Sequence, residues 1–116
     1  MVLCLQPAAR AKVVIGSKVL PNHCGDIETY LDGTLERLQI ECIDLYMVHW
    51  PIDKNSMAHF AGAHTASGGR DYATTGEVAK SDVPAAKQAF HDLMELQKEG
   101  KIRHVGVSNS WLFIRP

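Results

Sequence analysis

The first half of the chain predicts a strand followed by a helix. Residues 12–19 concentrate β-branched side chains and predict a buried strand, which ends before Pro21. Residues 26–39 predict a helix, with Asp26 as its N-cap, because large apolar residues recur there at spacings of four, four and three. These residues are Ile27, Leu31, Leu35 and Leu38.

The second half predicts strand, long connection, helix and strand. Residues 43–50 form a nearly continuous apolar run, which is typical of a strand covered on both faces. Residues 52–80 have neither strand nor helix periodicity. Residues 81–99 predict a helix that Asp82 caps, and residues 102–108 predict a third strand. The apolar face of this helix comprises Ala86, Phe90, Leu93 and Gln97, widened by Ala89, Met94 and Leu96, and Gly100 follows as its C′ residue.

The alternation of strands and helices predicts an α/β fold with a parallel sheet. Connections of this kind form right-handed βαβ units, in which consecutive parallel strands are joined by a helix that crosses the sheet. Periodicity alone does not distinguish a closed (β/α) barrel from an open, doubly wound sheet.

Composition and charge exclude several classes of partner. The 116 residues are 46% hydrophobic and 22% charged, with a net charge of −1, so there is no basic field to hold nucleic acid or an anionic membrane. No apolar run approaches the roughly 20 residues that span a bilayer, and the first residues lack the features of a signal peptide. Three cysteines without a C-x-x-C pair are expected to be plain thiols in a cytoplasmic protein.

No metal or phosphate site is expected from the remaining polar residues. The candidate zinc ligands are His23, Cys24, His59 and His64. Their positions along the sequence do not converge as the four ligands of a tetrahedral zinc site require. The run Gly68-Gly69-Arg70 lacks the surrounding pattern of a phosphate-binding loop. Two other polar residues, Lys18 and His49, each end an apolar run. Taken alone, a lysine at the end of a strand is usually a solvated surface residue, and a lone histidine there is usually structural.

Three stretches in register change this interpretation. They are Val-Val-Ile-Gly-Ser-Lys at 13–18, Ile-Asp-Leu-Tyr-Met-Val-His-Trp-Pro at 43–51 and Gly-Lys-Ile-Arg-His-Val-Gly-Val-Ser-Asn at 100–109. Together they resemble the third, fourth and fifth strands of the aldo-keto reductase family. The resemblance implies part of an eight-stranded (β/α) barrel, whose site lies at the carboxyl ends of the strands.

The resemblance also implies roles for individual residues. Lys18 and His49 correspond to two members of the family's catalytic tetrad, and Ser108 and Asn109 to contacts with the nicotinamide carboxamide. Trp50 is expected to contact substrate. The implied activity is NADP(H)-dependent reduction of aldehydes and ketones, in which Lys18 lowers the pKa of a tyrosine and His49 orients the carbonyl. The tyrosine and aspartate of the tetrad come from family segments that this sequence does not match.

The resemblance covers residues 12–109 and leaves 1–11 and 110–116 as unmatched segments. We therefore expect a truncated member, such as a splice variant or misjoined gene model, that is inactive alone. Three strands leave two open edges, which invite self-association. Burial of the barrel-facing side chains is expected to be lost, at a cost on the order of 10 kcal/mol, so we predict an aggregation-prone or partly molten chain. These side chains are Val14, Leu45, Met47, Val105 and Val107.

Two alternatives remain open from the sequence. The first is a non-catalytic NADP(H)-binding regulatory subunit on the same barrel, like the potassium-channel β-subunits of this superfamily. The second is an interaction fragment that binds a full-length relative through its open edges. Fold alone does not decide among these functions.

Overall fold

A computed structural model describes residues 7–53 and 83–109, which form a parallel sheet backed by helices. Its elements in chain order are α1 (Pro7–Arg10), β1 (Gly16–Val19), a 3₁₀ helix (Pro21–His23), α2 (Ile27–Leu38), β2 (Ile43–Val48), α3 (Val83–Lys98) and β3 (Ile102–Val107). No helix in these two ranges is both long and apolar enough to cross a membrane.

The described sheet has three strands in the order β1-β2-β3, and both strand pairs are parallel. In the register, Lys18 lies opposite Met47, which in turn lies opposite Gly106. This arrangement confirms the predicted α/β fold and parallel βαβ connections. Because all three strands run in one direction, their carboxyl ends meet at one rim of the sheet.

Strand β1 is shorter than the predicted strand of residues 12–19. The backbone N–H groups of Lys12 and Val13 donate to the carbonyls of Ala9 and Arg10, which continues the turn after α1. Val14 is 81% exposed. The prediction was therefore wrong for residues 12–15, because local turn hydrogen bonds prevailed over the strand preference of the β-branched residues.

Helix α2 follows the predicted stripe, with Ile27, Leu31 and Leu35 buried and Leu38 exposed. Asp26 occupies the N-cap position but makes no capping hydrogen bond through its side chain. The helix ends at Gln39, whose left-handed backbone (φ 54°) lets its N–H bond the carbonyls of Leu35 and Glu36.

Helix α3 buries Ala89, Leu93 and Leu96. The predicted face was wrong at Gln97, which is exposed, and at Met94, which is 54% exposed. Consecutive helical residues point about 100° apart, so residues directly after Leu93 and Leu96 face away from the sheet. Gly100 has the positive φ (83°) that a C′ glycine adopts, which confirms its predicted place. The predicted cap Asp82 and residues 54–80 lie outside the described ranges.

The two faces of the sheet differ in burial. On the helix-covered face, Val19, Tyr46 and Val48 belong to the core, whereas Leu45 and Met47 on the opposite face are only half-buried. The opposite face is the one that would line a barrel. The sheet thus has one packed face and one open face among the described residues.

The assignment of Val105 and Val107 to the barrel-facing side was wrong. The register pairs them with Tyr46 and Val48, so they lie on the helix-covered face, and Val105 packs against the core. Side chains alternate along a strand, which places Gly106 on the barrel-facing side instead. The strand was predicted correctly, but its facing depends on a cross-strand register that one strand's sequence does not contain.

Asp44 holds the amino-terminal end of the sheet together. Its side chain accepts a hydrogen bond from the backbone N–H of Ile15 (2.8 Å) and pairs with Arg10 (2.7 Å) and Arg103 (3.0 Å). Arg10 also donates to the carbonyl of Cys42 (3.1 Å). The Ile15 hydrogen bond and the two arginines lower the pKa of Asp44, against burial, which raises it. Arg10 therefore connects α1 to β2, a contact that the sequence analysis did not anticipate.

Candidate functional site

The carboxyl ends of the three strands bring four predicted site residues to one rim. Lys18 is in β1, His49 directly follows β2, and Ser108 and Asn109 directly follow β3. The backbone N–H of His49 donates to the carbonyl of Val19 (2.9 Å), and that of Ser108 donates to the carbonyl of Val48 (3.0 Å). The ladder hydrogen bonds thus continue one residue past β2 and β3, so the backbone fixes His49 and Ser108 in place.

Side-chain hydrogen bonds connect these residues to one another. The Lys18 ammonium donates to Ser108 Oγ (3.2 Å), spanning the central strand from β1 to β3. The Asn109 side-chain amide donates to the carbonyl of His49 (2.9 Å) and to Ser108 Oγ (3.0 Å). All four residues therefore form one connected group that crosses the whole described sheet.

The backbone of Asn109 is left-handed, with φ at 57°. Asparagine tolerates this region better than most residues, because its short polar side chain forms local hydrogen bonds. In this conformation the side-chain amide of Asn109 donates its hydrogen bond to the carbonyl of His49. A sequence of Ser-Asn after a strand is usual turn chemistry, and here the turn also supplies a polar group at the rim.

An open cleft of about 450 Å³ lies beside this group and is lined by Gly16, Ser17, Lys18, Met47 and His49. Burial, and then the positive charge of Lys18, lower the pKa of His49 below its ordinary value of 6.5. At pH 7 most of the imidazole is therefore uncharged. An uncharged imidazole has one N–H group, with which it can donate a hydrogen bond to a carbonyl oxygen.

Gly106 lies against Met47, which lines the cleft, and was not singled out by the sequence analysis. A Cβ atom at this position would lie 2.9 Å from Cγ of Met47 and 3.4 Å from Cδ1 of Leu45. The absence of a side chain lets Met47 lie against β3. A glycine inside a strand is the sequence signal for such a close approach.

Trp50 lies toward the helix-covered face. Its ring centroid is 6.0 Å from that of His49, and it lines an apolar groove of about 170 Å³ at the carboxyl end of the sheet. The lining of this apolar groove comprises Val48, Trp50, Pro51, Ile52, Ala86, Phe90 and Val107. The lining of the open cleft does not include Trp50. Its predicted contact with substrate stays a prediction.

The other candidate ligands occupy packing positions. His23 stacks on Tyr30 with ring centroids 3.9 Å apart, and burial raises the pKa of the Cys24 thiol to about 11. Cys24 and Cys42 are free thiols. Within residues 7–53 and 83–109, no group of three potential metal ligands converges. His59 and His64 lie outside these ranges.

The rim fits one portion of a nicotinamide cofactor. A carboxamide requires both a hydrogen-bond donor and an acceptor, and the hydroxyl of Ser108 and the amide of Asn109 supply both kinds of group within 3.0 Å of each other. The cleft beside them lies on the barrel-facing side of the sheet, where Lys18 and His49 also point. The described residues thus fit the nicotinamide end of such a cofactor.

Comparison with known proteins places this geometry in a family. The sequence pattern of the aldo/keto reductase family matches residues 2–112, wider than the 12–109 covered by the three motifs. The chain is 36% identical over 102 residues to the D/L-glyceraldehyde reductase of Hypocrea jecorina, covering 86% of this chain and 28% of that protein. It is 34% identical over 104 residues to the glyoxal reductase of Bacillus subtilis, covering 87% and 26%.

Solved structures give the same result. The crystal structure of an aldo/keto reductase from Klebsiella pneumoniae in complex with NADP and acetate matches with a TM-score of 0.60 and 26% identity. The match covers 91% of this chain and 28% of that structure. The described strands and helices therefore correspond to part of a (β/α) barrel, and this chain belongs to the aldo/keto reductase family.

Proposed function

We propose that this chain supplies the Lys18–His49 part of the active site of an NADP(H)-dependent reductase of aldehydes and ketones. The carrying observation is the hydrogen-bonded group at the rim, in which Lys18 reaches Ser108 across the central strand and Asn109 bonds the carbonyl of His49. This group belongs to a chain whose relatives include enzymes named as reductases of glyceraldehyde and glyoxal.

In this proposal each residue has a separate task. The neutral imidazole of His49 donates a hydrogen bond to the carbonyl oxygen of the substrate and orients it. The ammonium of Lys18 stabilises negative charge that develops at the oxygen or at a neighbouring proton donor. Ser108 and Asn109 hold the carboxamide of the nicotinamide, which selects the face that is presented to the substrate. When bound, NADPH supplies the hydride.

We further propose that these 116 residues alone do not turn over substrate. The family's tyrosine donates the proton to the carbonyl oxygen, and it lies in a segment that the motifs of this chain do not match. The prediction is that the purified chain shows no NADPH oxidation with reactive aldehydes such as glyceraldehyde. Turnover that Lys18→Met abolishes would refute this prediction.

A chimeric barrel tests the proposed roles directly. Residues 7–109 replace the homologous stretch of the Bacillus subtilis glyoxal reductase, which supplies the remaining strands; we call this protein the grafted barrel. We expect it to reduce glyoxal, and we expect Lys18→Met to lower kcat by about 10²–10⁴-fold, the usual contribution of a positioned group in proton transfer.

The matched control is Lys12→Met, which removes an exposed lysine outside the rim. We expect it to leave kcat unchanged. In the same protein, Asn109→Gly preserves the left-handed turn while removing the amide, and should raise the KM for NADPH. A folded grafted barrel whose kcat does not respond to Lys18→Met would contradict the proposed function.

The open edges support a second proposal, which is self-association of the isolated chain. Within the described residues, β1 and β3 each pair with a strand on one side only. Unpaired edge strands can pair with other chains. Size-exclusion chromatography with light scattering should give species larger than a monomer, and thermal unfolding should be broad. A monomer with a sharp two-state transition would count against this proposal.

A further inference from the structure

The apolar groove lies on the helix-covered face of the sheet, between the carboxyl ends of β2 and β3 and the first turns of α3. Its volume is about 170 Å³, and its lining is almost wholly apolar. An engineered apolar cavity of about 150 Å³ admits a benzene ring, so this groove has room for one aromatic ring.

The groove is open at β3. Val107 is 49% exposed, whereas its register partner Val48 is only 4% exposed. Both side chains lie on the same face of the sheet, so the difference arises from what covers them. Both valines line the groove together with Ala86 and Phe90 of α3, but the described residues leave about half of Val107 uncovered.

The sequence offers an apolar segment next to this opening. Residues 111–114 are Trp-Leu-Phe-Ile, four consecutive large apolar residues. Only Ser110 separates them from Asn109, the last residue that the structure describes. Trp111 is four residues beyond Val107, which itself lines the groove. An extended chain covers at most about 3.3–3.6 Å per residue, so four residues reach about 14 Å. The groove is within that reach.

We propose that the apolar segment 111–114 of this chain packs into the apolar groove and covers Val107, with an aromatic ring of the segment in contact with Trp50. Exposing four large apolar residues beside an open apolar groove is unfavourable, and one packing step removes both surfaces from water. In this arrangement Trp50 is a packing residue for the segment. The proposal is independent of the reductase proposal, because it concerns the opposite face of the sheet from the open cleft.

Tryptophan fluorescence of the 116-residue chain tests the proposal. The chain has two tryptophans, so Trp50→Phe leaves Trp111 as the only one while keeping an aromatic ring in the groove. We expect Trp111 to emit at shorter wavelength, and to be quenched less by acrylamide, than the same residue in a free peptide of residues 110–116. Emission and quenching equal to those of the peptide would overturn the proposal.

Two substitutions in α3 give a matched comparison in the Trp50→Phe chain. Ala86→Glu places a charge in the groove, and Met94→Glu makes the same change on the exposed side of the same helix. The protection of Trp111 should be lost with Ala86→Glu and kept with Met94→Glu. If Ala86→Glu also reduces the helical circular dichroism, it has disturbed the fold, and Val107→Thr then serves as the test of the packed segment. This nearly isosteric change at the half-exposed site should increase quenching, and no increase would overturn the proposal.

Dilution distinguishes this chain's own segment from that of a second copy. Protection within one molecule does not change when the protein concentration is lowered, whereas protection by a neighbouring molecule is lost. We expect the quenching of Trp111 to be independent of concentration. Loss of protection on dilution would overturn the assignment in favour of a second copy of this chain.

Discussion

The two ends of the sheet use charged residues in opposite ways. At the amino-terminal end, Asp44 is 5% exposed and its two carboxylate oxygens bond Ile15, Arg10 and Arg103. At the carboxyl-terminal rim, Lys18 and Asn109 are exposed and border an open cleft. The carboxylate of Asp44 is paired with groups of the protein itself, whereas the ammonium of Lys18 borders a space that a ligand can enter.

This difference follows the general division of labour in (β/α) barrels. Residues at the amino ends of the strands stabilise the fold, and residues at the carboxyl ends carry function. The three described strands have an ion-paired carboxylate at their amino ends and an open cleft at their carboxyl ends. We therefore expect the two ends to respond differently to substitution, because removing Asp44 leaves the partly buried N–H of Ile15 without its acceptor, whereas removing Lys18 leaves mainly solvated groups.

The largest expected effect is on the amino-terminal end. In the grafted barrel, Asp44→Ala removes the acceptor of three hydrogen bonds or ion pairs and leaves the Ile15 N–H without its partner. We expect a clear fall in Tm, measured by circular dichroism. Glu36→Ala, which removes an exposed carboxylate from α2, is the control and should leave Tm nearly unchanged. Equal Tm values for the two variants would remove the distinction between the ends.

The second prediction concerns acid. The folded pKa of Asp44 lies below its unfolded value of 3.8, so its stabilising contribution is complete above that value and is lost as the pH falls through the folded pKa. Asp44→Asn cannot titrate. The stability of the unsubstituted grafted barrel, from urea unfolding, should therefore fall more steeply below pH 4 than that of Asp44→Asn. Parallel pH profiles would contradict a depressed pKa.

A smaller effect is expected from Gly106→Ala, next to Met47, which lines the cleft. The added Cβ would lie 2.9 Å from Met47 Cγ, so Met47 must move. Met47 is flexible and half-buried, and we therefore expect a loss of about 1 kcal/mol, at the low end for overpacking. Urea unfolding of the grafted barrel measures it. Gly25→Ala, where no atom lies within 4 Å, is the control, and an equal loss there would refute the Met47 explanation.

The smallest expected effect is a change in the titration of His49. Burial is the larger cause of its lowered pKa and the charge of Lys18 the smaller, so Lys18→Met should raise the pKa toward 6.5 without reaching it. Proton NMR of the imidazole in the grafted barrel measures this change, with Lys12→Met as the control. A pKa of His49 that is unaffected by Lys18→Met would show that the two groups are not electrostatically coupled.

Much of the fold was predictable because it depends on local patterns. The apolar run of β2, the stripe of α2 and Gly100 after α3 each identified their element correctly. One contact that the local patterns did not indicate is long-range, because Ile15 donates its backbone N–H to Asp44, 29 residues away. A single acidic residue within the apolar run of β2 was the signal that a buried partner existed.

The sequence by itself determined the type and order of the three strands and two longer helices, the parallel topology and the family, since these follow from periodicity and from motifs that are contiguous in the chain. Only the tertiary structure decided which way each side chain faces. Val107 lies on the helix-covered face because of the register between β2 and β3. The hydrogen bonds from Lys18 to Ser108 and from Asn109 to His49 likewise depend on how strands distant in sequence align. Register is set by contacts between strands, and no single segment of the sequence contains it.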